Sequence, residues 1–219
     1  MNYGVLGGTF DPIHMGHLRT AEEMVHELAL AKLFLVPAAI PPHKKHVPVT
    51  DFHHRFEMAK IAVGNSHSLE VIDLEARRKG PSYSVDTLRE LTSSLGPRND
   101  LYFILGTEAF YEIHTWKEYN RLFELAHIVV VDRKGLPFED IFPYLEKCGI
   151  TVNPEKGEPG RFIFPSGKSL IHKKVTQMDI SSTRIRELVR RNVSIRFLVP
   201  DQVMDYICRN GLYNNDEEH

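Results

Sequence analysis

Between residues 7 and 17 the chain reads Gly7-Gly8-Thr9-Phe10-Asp11-Pro12-Ile13-His14-Met15-Gly16-His17. Glycines let a backbone come close to a ligand, and Asp11-Pro12 imposes a turn. His14 and His17 are three residues apart and share one face if a helix begins there. The short apolar run Tyr3–Leu6 precedes the glycines, and a helical pattern follows the histidines. A strand that hands over to a helix in this way gathers backbone N–H groups and two imidazoles at one helix N-terminus, a site suited to phosphate. Zinc is the competing chemistry for paired histidines, but no third ligand stands at a fitting spacing. Nucleotide chemistry is therefore the leading expectation.

The elements that must position these residues can be read from periodicity. Apolar runs at Tyr3–Leu6, Leu33–Val36, Leu69–Ile72, Leu101–Leu105 and Ile128–Val131 predict strands. The last two are almost wholly apolar, as strands covered on both faces must be. Helical patterns near Leu18–Leu28, His53–Val63, Val85–Leu95 and Glu118–Ala126 lie between them. This alternation predicts an α/β protein with a Rossmann-like, doubly wound parallel sheet. Ligands in such sheets bind beyond the carboxyl ends of the strands, where the first glycine pair falls. We expect a single domain, with an irregular insertion or mobile loop at about 135–174 and a small C-terminal helical part at about 181–213. In that last part Ser181, Ser182 and Thr183 precede the apolar spacing Ile185, Leu188, Val189, an N-cap signal. The helix Asp201–Arg209 then ends at Asn210-Gly211.

Composition narrows the classes. The chain has 219 residues, 42% hydrophobic and 26% charged, which suits a globular domain with a substantial core. No apolar run reaches the roughly 18 residues of a membrane span, and the first residues lack a secretory pattern, so we expect a cytoplasmic protein without a membrane partner. A net charge of −2 gives no bulk attraction to nucleic acid. Cys148 and Cys208 form no Cys-x-x-Cys pair, so neither zinc nor dithiol chemistry is indicated.

The segment Gly7–His17 resembles the signature of the HxGH nucleotidylyltransferases, which transfer a nucleotidyl group and release pyrophosphate. Further segments are similar to the bacterial nicotinate-mononucleotide adenylyltransferase branch of that superfamily. They are Ile40-Pro41-Pro42-His43-Lys44, Lys79 to Thr87, Ile104-Leu105-Gly106, Thr115-Trp116, Ile180 to Arg186 and Gly211-Leu212-Tyr213. The resemblance spans residues 3 to about 213.

It implies ATP and nicotinate mononucleotide as substrates, the mononucleotide phosphate attacking the α-phosphorus of ATP. Because that nucleophile is already an anion, alignment and charge stabilisation carry the rate. The implied catalytic residues are His14, His17, Lys44 and Arg186, the histidines favoured as imidazolium by a nearby phosphate. Gly7, Gly8, Thr9, Phe10, Gly106, Ser182 and Thr183 are implied on ATP with His14, His17 and Arg186. On the mononucleotide the implied set is Ser84, Trp116, Lys117, Glu108 and Arg133: Trp116 stacks on the pyridine ring, and backbone N–H groups at Ser84 and Lys117 hold the nicotinate carboxylate. Two departures stand out. Lys117 replaces the usual tyrosine and is expected to add positive charge there. Glu108 replaces the usual aspartate on a ribose hydroxyl. No protein metal ligands are expected, Asp11 serving to fix the turn; Mg²⁺ is expected on the substrate phosphates. The alternatives are an enzyme for phosphopantetheine or for the amide mononucleotide, or an inactive nucleotide sensor.

Overall fold

The strands sort their side chains by alternation. In the strand Asp100–Gly106 (β4), Leu101, Phe103 and Leu105 join one hydrophobic cluster while Tyr102 and Ile104 join another. In His127–Val131 (β5), Ile128 and Val130 face the first cluster, Val129 and Val131 the second. A period of two thus divides one sheet between two cores, and helices cover both faces. The structure, a computed structural model, describes residues 1–42, 48–132 and 141–214.

Further strands are Asn2–Gly8 (β1), Lys32–Pro37 (β2), Leu69–Val71 (β3), Asn153–Pro154 (β6), Arg161–Ile163 (β7) and Ser169–Lys173 (β8). Their order across the sheet is β3-β2-β1-β4-β5-β8-β7-β6. The pairs from β3 through β8 are parallel, while β7 and β6 continue antiparallel at one edge. The order reverses direction between β1 and β4, the switch point at which such sheets open a ligand crevice.

The helices are Met15–Glu27 (α1), Phe52–Val63 (α2), Ser84–Leu95 (α3), Thr107–Tyr111 (α4), Tyr119–Leu125 (α5), Ile141–Lys147 (α6), Ser182–Arg190 (α7) and Asp201–Arg209 (α8). The stripe Val85, Leu88, Leu91 of α3 meets the first cluster. Ala21 and Met24 of α1, Met58 and Ala59 of α2, Ile185 of α7 and Val203 and Ile207 of α8 meet the second. The C-terminal helical part therefore docks onto the main core, and a hydrogen bond of 3.0 Å between His54 Nδ1 and the Tyr206 hydroxyl ties α2 to α8.

One expectation needs correction. The stretch 135–174 is no irregular insertion where it is described: it supplies α6 and β6 to β8. Ser169, Leu170 and Ile171 of β8 are buried beside β5. The Gly/Pro-rich sequence forms the turns of this edge, and β8 owes its burial to a distant neighbour rather than to its own apolar content.

Candidate active site

The carboxyl ends of β1 and β4 open into a cleft of about 700 Å³ lined by residues of both strands, of α1, α3 and α7, and of the Thr115–Lys117 turn. One wall is built from the Gly-Gly motif. A Cβ on Gly8 would stand 2.9 Å from the Phe10 ring, and one on Gly16 would stand 3.1 Å from Nδ1 of His14. A side chain at Gly8 would push against the Phe10 ring and one at Gly16 would crowd the His14 imidazole. His14 is the N-cap of α1 in an extended conformation (φ −146°). Its carbonyl accepts from the His17 N–H at 2.9 Å, and its own N–H donates to Nδ1 of His17 at 3.3 Å. The two rings stack with centroids 3.7 Å apart, and Phe10 meets His17 edge-on at 5.0 Å. Since Nδ1 of His17 accepts, its ring proton is assigned to Nε2, a neutral donor.

The opposite wall is the start of α7. Ser181, rather than Ser182 or Thr183, caps this helix, its hydroxyl accepting from the Arg184 N–H at 3.2 Å. Ser182 donates its hydroxyl to the Pro12 carbonyl at 2.9 Å. Arg186 donates to the Asp11 carbonyl at 2.6 Å and to the Thr183 hydroxyl at 3.4 Å. The motif and α7, some 170 residues apart, are thus fastened to each other.

Asp11 is the centre of that fastening. It is 3% exposed. Its Oδ1 accepts from the Tyr213 hydroxyl at 2.8 Å, its Oδ2 from the Thr50 N–H at 3.2 Å, and Arg186 stands 4.0 Å away. Burial, reinforced by the Asp11 charge, pushes the Tyr213 phenol well above its ordinary range, so it remains the donor. The Asp11 carboxylate ties the turn to Thr50 and Tyr213.

Beneath the motif lies Arg55 of α2, 1% exposed. It donates to the carbonyls of Thr50 (2.7 Å), Thr9 (2.8 Å), Ala38 (2.7 Å) and Ala39 (3.3 Å). Burial lowers its pKa from the ordinary arginine value. The sequence reading missed Arg55, although a signal was there: an arginine three and four residues before Met58 and Ala59 lies on the buried face of its helix.

At the other end of the cleft stand Ser84, Trp116, Lys117 and Glu108. Ser84 opens α3, so its N–H belongs to the first turn and has no partner in the helix ladder. Trp116 meets Phe103 edge-on, centroids 6.3 Å apart. Lys117 is held: Nζ donates to Asp86 Oδ2 at 2.9 Å and lies 4.8 Å from the centre of the Tyr83 ring. Glu108 sits in the first turn of α4, after Gly106. A reciprocal pair joins this end to the segment after β2: the Ser82 N–H donates to the Ile40 carbonyl (2.9 Å), and the Ile40 N–H to the Ser82 hydroxyl (3.1 Å). Lys44 and Arg133 lie outside the described residues. All the other expected residues line this one cleft. Among the described residues no group of three or more His, Cys, Asp or Glu converges as a metal site, and no helix is long and apolar enough to cross a membrane.

A switch-point crevice with paired histidines on one helix start and Ser-Thr-x-x-Arg on another defines a nucleotide-binding α/β protein of the nucleotidyltransferase class. The chain belongs to the cytidylyltransferase-like family, whose model matches residues 5–188. It is 42% identical over 219 residues to a protein of Desulfatibacillum aliphaticivorans named "Probable nicotinate-nucleotide adenylyltransferase", with 97% of this chain and all of that protein covered. A protein of Geobacter metallireducens with the same name is 40% identical, covering 99% of this chain and 100% of that one. Among solved structures, the Plasmodium falciparum nicotinic acid mononucleotide adenylyltransferase complexed with NaAD superposes with a TM-score of 0.75 at 22% identity, covering 97% of each chain. This last likeness bears on the fold.

Proposed function

We propose that the protein is a nicotinate-nucleotide adenylyltransferase, moving the adenylyl group of ATP onto nicotinate mononucleotide to give nicotinate adenine dinucleotide and pyrophosphate. The observation that carries this reading is one cleft lined at one end by His14, His17, Ser182, Thr183 and Arg186, and at the other by Ser84, Trp116 and Lys117. The full-length similarity to relatives of that name supports it.

In this reading a phosphate oxygen of the mononucleotide forms a bond to the α-phosphorus while the bond to the bridging oxygen breaks and pyrophosphate leaves. The nucleophile enters as an anion, so no side chain need take a proton from it. His17, with its proton on Nε2, donates to charge developing on the α- and β-phosphates, and His14 is stacked beside it. Ser182, Thr183 and the α7 N-terminus receive the outer phosphates, with Arg186 supplying positive charge. Preorganised donors cost no reorganisation at the moment of transfer. A divalent cation, Mg²⁺ in our reading, fits as a guest of the substrate phosphates, because no group of three or more His, Cys, Asp or Glu converges on a metal site among the described residues; bound there, it would neutralise charge on the triphosphate.

Preference for the acid mononucleotide rests chiefly on backbone donors at Ser84 and Lys117. The pairing of Lys117 with Asp86 favours the amide mononucleotide as a second reading of the acceptor, since the Asp86 carboxylate offsets the lysine charge at 2.9 Å. Pyrophosphate release measured with both mononucleotides tests the proposal. The acid should be preferred. A clear preference for the amide overturns the choice of acceptor, and ATP binding without turnover of either overturns the reaction.

A further inference from the structure

The 3-10 turn Leu74–Arg77, which follows β3, carries a glutamate that the reaction described so far does not use. Glu75 is 8% exposed and lies in the cleft wall. Its Oε1 accepts from the Thr87 hydroxyl at 2.6 Å, and that hydroxyl accepts from Arg78 Nη2 at 2.6 Å. Arg78 itself stands 3.9 Å from Oε1. Glu75 Oε2 is buried and has no hydrogen-bond partner among the described residues. Thr87 is three residues after Ser84 on the first turn of α3, so the same turn that offers the Ser84 N–H also holds this carboxylate.

An ionised carboxylate accepts hydrogen bonds and donates none. A buried oxygen of that kind in a cleft wall, with no protein donor among the described residues, is open to a donor supplied by a ligand. The terminal torsion of glutamate is soft, so the carboxylate can turn its second oxygen toward a ligand while Thr87 keeps hold of the group. The acid mononucleotide is a narrow source of donors: its phosphate and its nicotinate carboxylate only accept, and its ring nitrogen is quaternary. The ribose hydroxyls are its only donors.

We propose that Glu75 is a specificity-determining residue of the acceptor end, accepting a hydrogen bond from a ribose hydroxyl of the mononucleotide. This rests on the function proposed above. It gives the acceptor end a residue that checks the sugar, separate from Ser84 and Trp116, which face the ring. It also gives the Arg78–Thr87–Glu75 chain a purpose: Arg78 offsets the charge of a carboxylate that must sit close to a phosphorylated substrate.

The test crosses protein and substrate. Pyrophosphate release is measured for the full chain and for Glu75→Gln, with nicotinate mononucleotide and with its 2′-deoxy and 3′-deoxy forms. In the unaltered protein one of the deoxy forms should lose about 10- to 100-fold in kcat/KM, the size of one hydrogen bond to a charged group. Glu75→Gln should lose a similar factor on the ribose substrate, mainly through KM for the mononucleotide, with KM for ATP within about twofold. It should also handle ribose and deoxyribose nearly alike. If Glu75→Gln fails to fold, Glu75→Asp takes its place, keeping the charge but withdrawing the oxygens by one methylene. An unchanged ribose-to-deoxyribose ratio in the variant overturns the proposal and leaves Glu75 acting on the ring charge or on α3. Failure of the unaltered protein to turn over or bind any mononucleotide overturns both this inference and the function on which it rests.

Discussion

The two ends of the cleft are built by different means. The end assigned to ATP is a knot of buried hydrogen bonds: Asp11, 3% exposed, joins the glycine motif, Thr50, Arg186 and Tyr213, and Arg55 fastens the same motif from below. The end assigned to the acceptor presents Lys117 with 41% of its side chain exposed, paired to an Asp86 that also binds Arg89. Buried charges held by many donors are costly to disturb, whereas exposed ion pairs are worth about 0 to 1 kcal/mol. Under the proposed function, the difference puts the denser network of buried hydrogen bonds where phosphates would be aligned, and an exposed ion pair beside the place proposed for the nicotinate carboxylate.

The largest expected effect lies in the knot. Arg55→Met removes the donor for four carbonyls at once and should cost at least about 3 kcal/mol of stability, read as a lowered denaturant midpoint with an unchanged slope. A loss below about 1 kcal/mol would show that water replaces Arg55 and that this end is less rigid than its hydrogen bonds imply. Next comes His17→Ala, expected to lower turnover by about 10²- to 10³-fold, the worth of one lost transition-state donor, with stability little changed. Near-normal turnover would take His17 out of the chemistry and reduce the histidine pair to helix capping. Tyr213→Phe should then cost about 1.5–3 kcal/mol, because it leaves Oδ1 of Asp11 without its donor. It should also blunt turnover through Arg186. Loss of stability with turnover untouched would separate the knot from the reaction.

The sequence was most readable where one segment carries its own pattern. Leu101–Leu105 is apolar enough to declare a strand covered on both faces, and Gly7 to His17 contains its own strand end, turn and helix start. Legibility fell where partners are far apart. The strand Ser169–Lys173 looks like loop because only Leu170 and Ile171 are apolar, and its burial comes from β5, about 40 residues earlier. The cap of α7 falls on Ser181 rather than its neighbours, a choice among adjacent hydroxyls that local chemistry leaves open. Asp11 could be read as a turn residue, but its links to Thr50 and Tyr213 could not. The same holds for Lys117: its position beside Trp116 suggested a free cation, and only the fold brings Asp86 to it across 31 residues.

That pairing supplies the smallest and most discriminating prediction. If the acceptor end is tuned by exposed charge, Lys117→Ala and Asp86→Asn should move specificity in opposite directions. Removing Lys117 takes away one positive charge near the acid group, yet Asp86 had already offset much of it, so the ratio of kcat/KM for acid over amide mononucleotide should fall only about two- to fivefold. Asp86→Asn leaves the cation and deletes its offset, so the same ratio should rise by a comparable factor. Both changes should shrink at high salt, where exposed charges are screened. Shifts in the same direction would mean that the pair acts by shaping the start of α3 rather than through charge. Shifts of 100-fold or more would erase the contrast between the two ends, because an effect that large requires a lysine as thoroughly desolvated as Arg55.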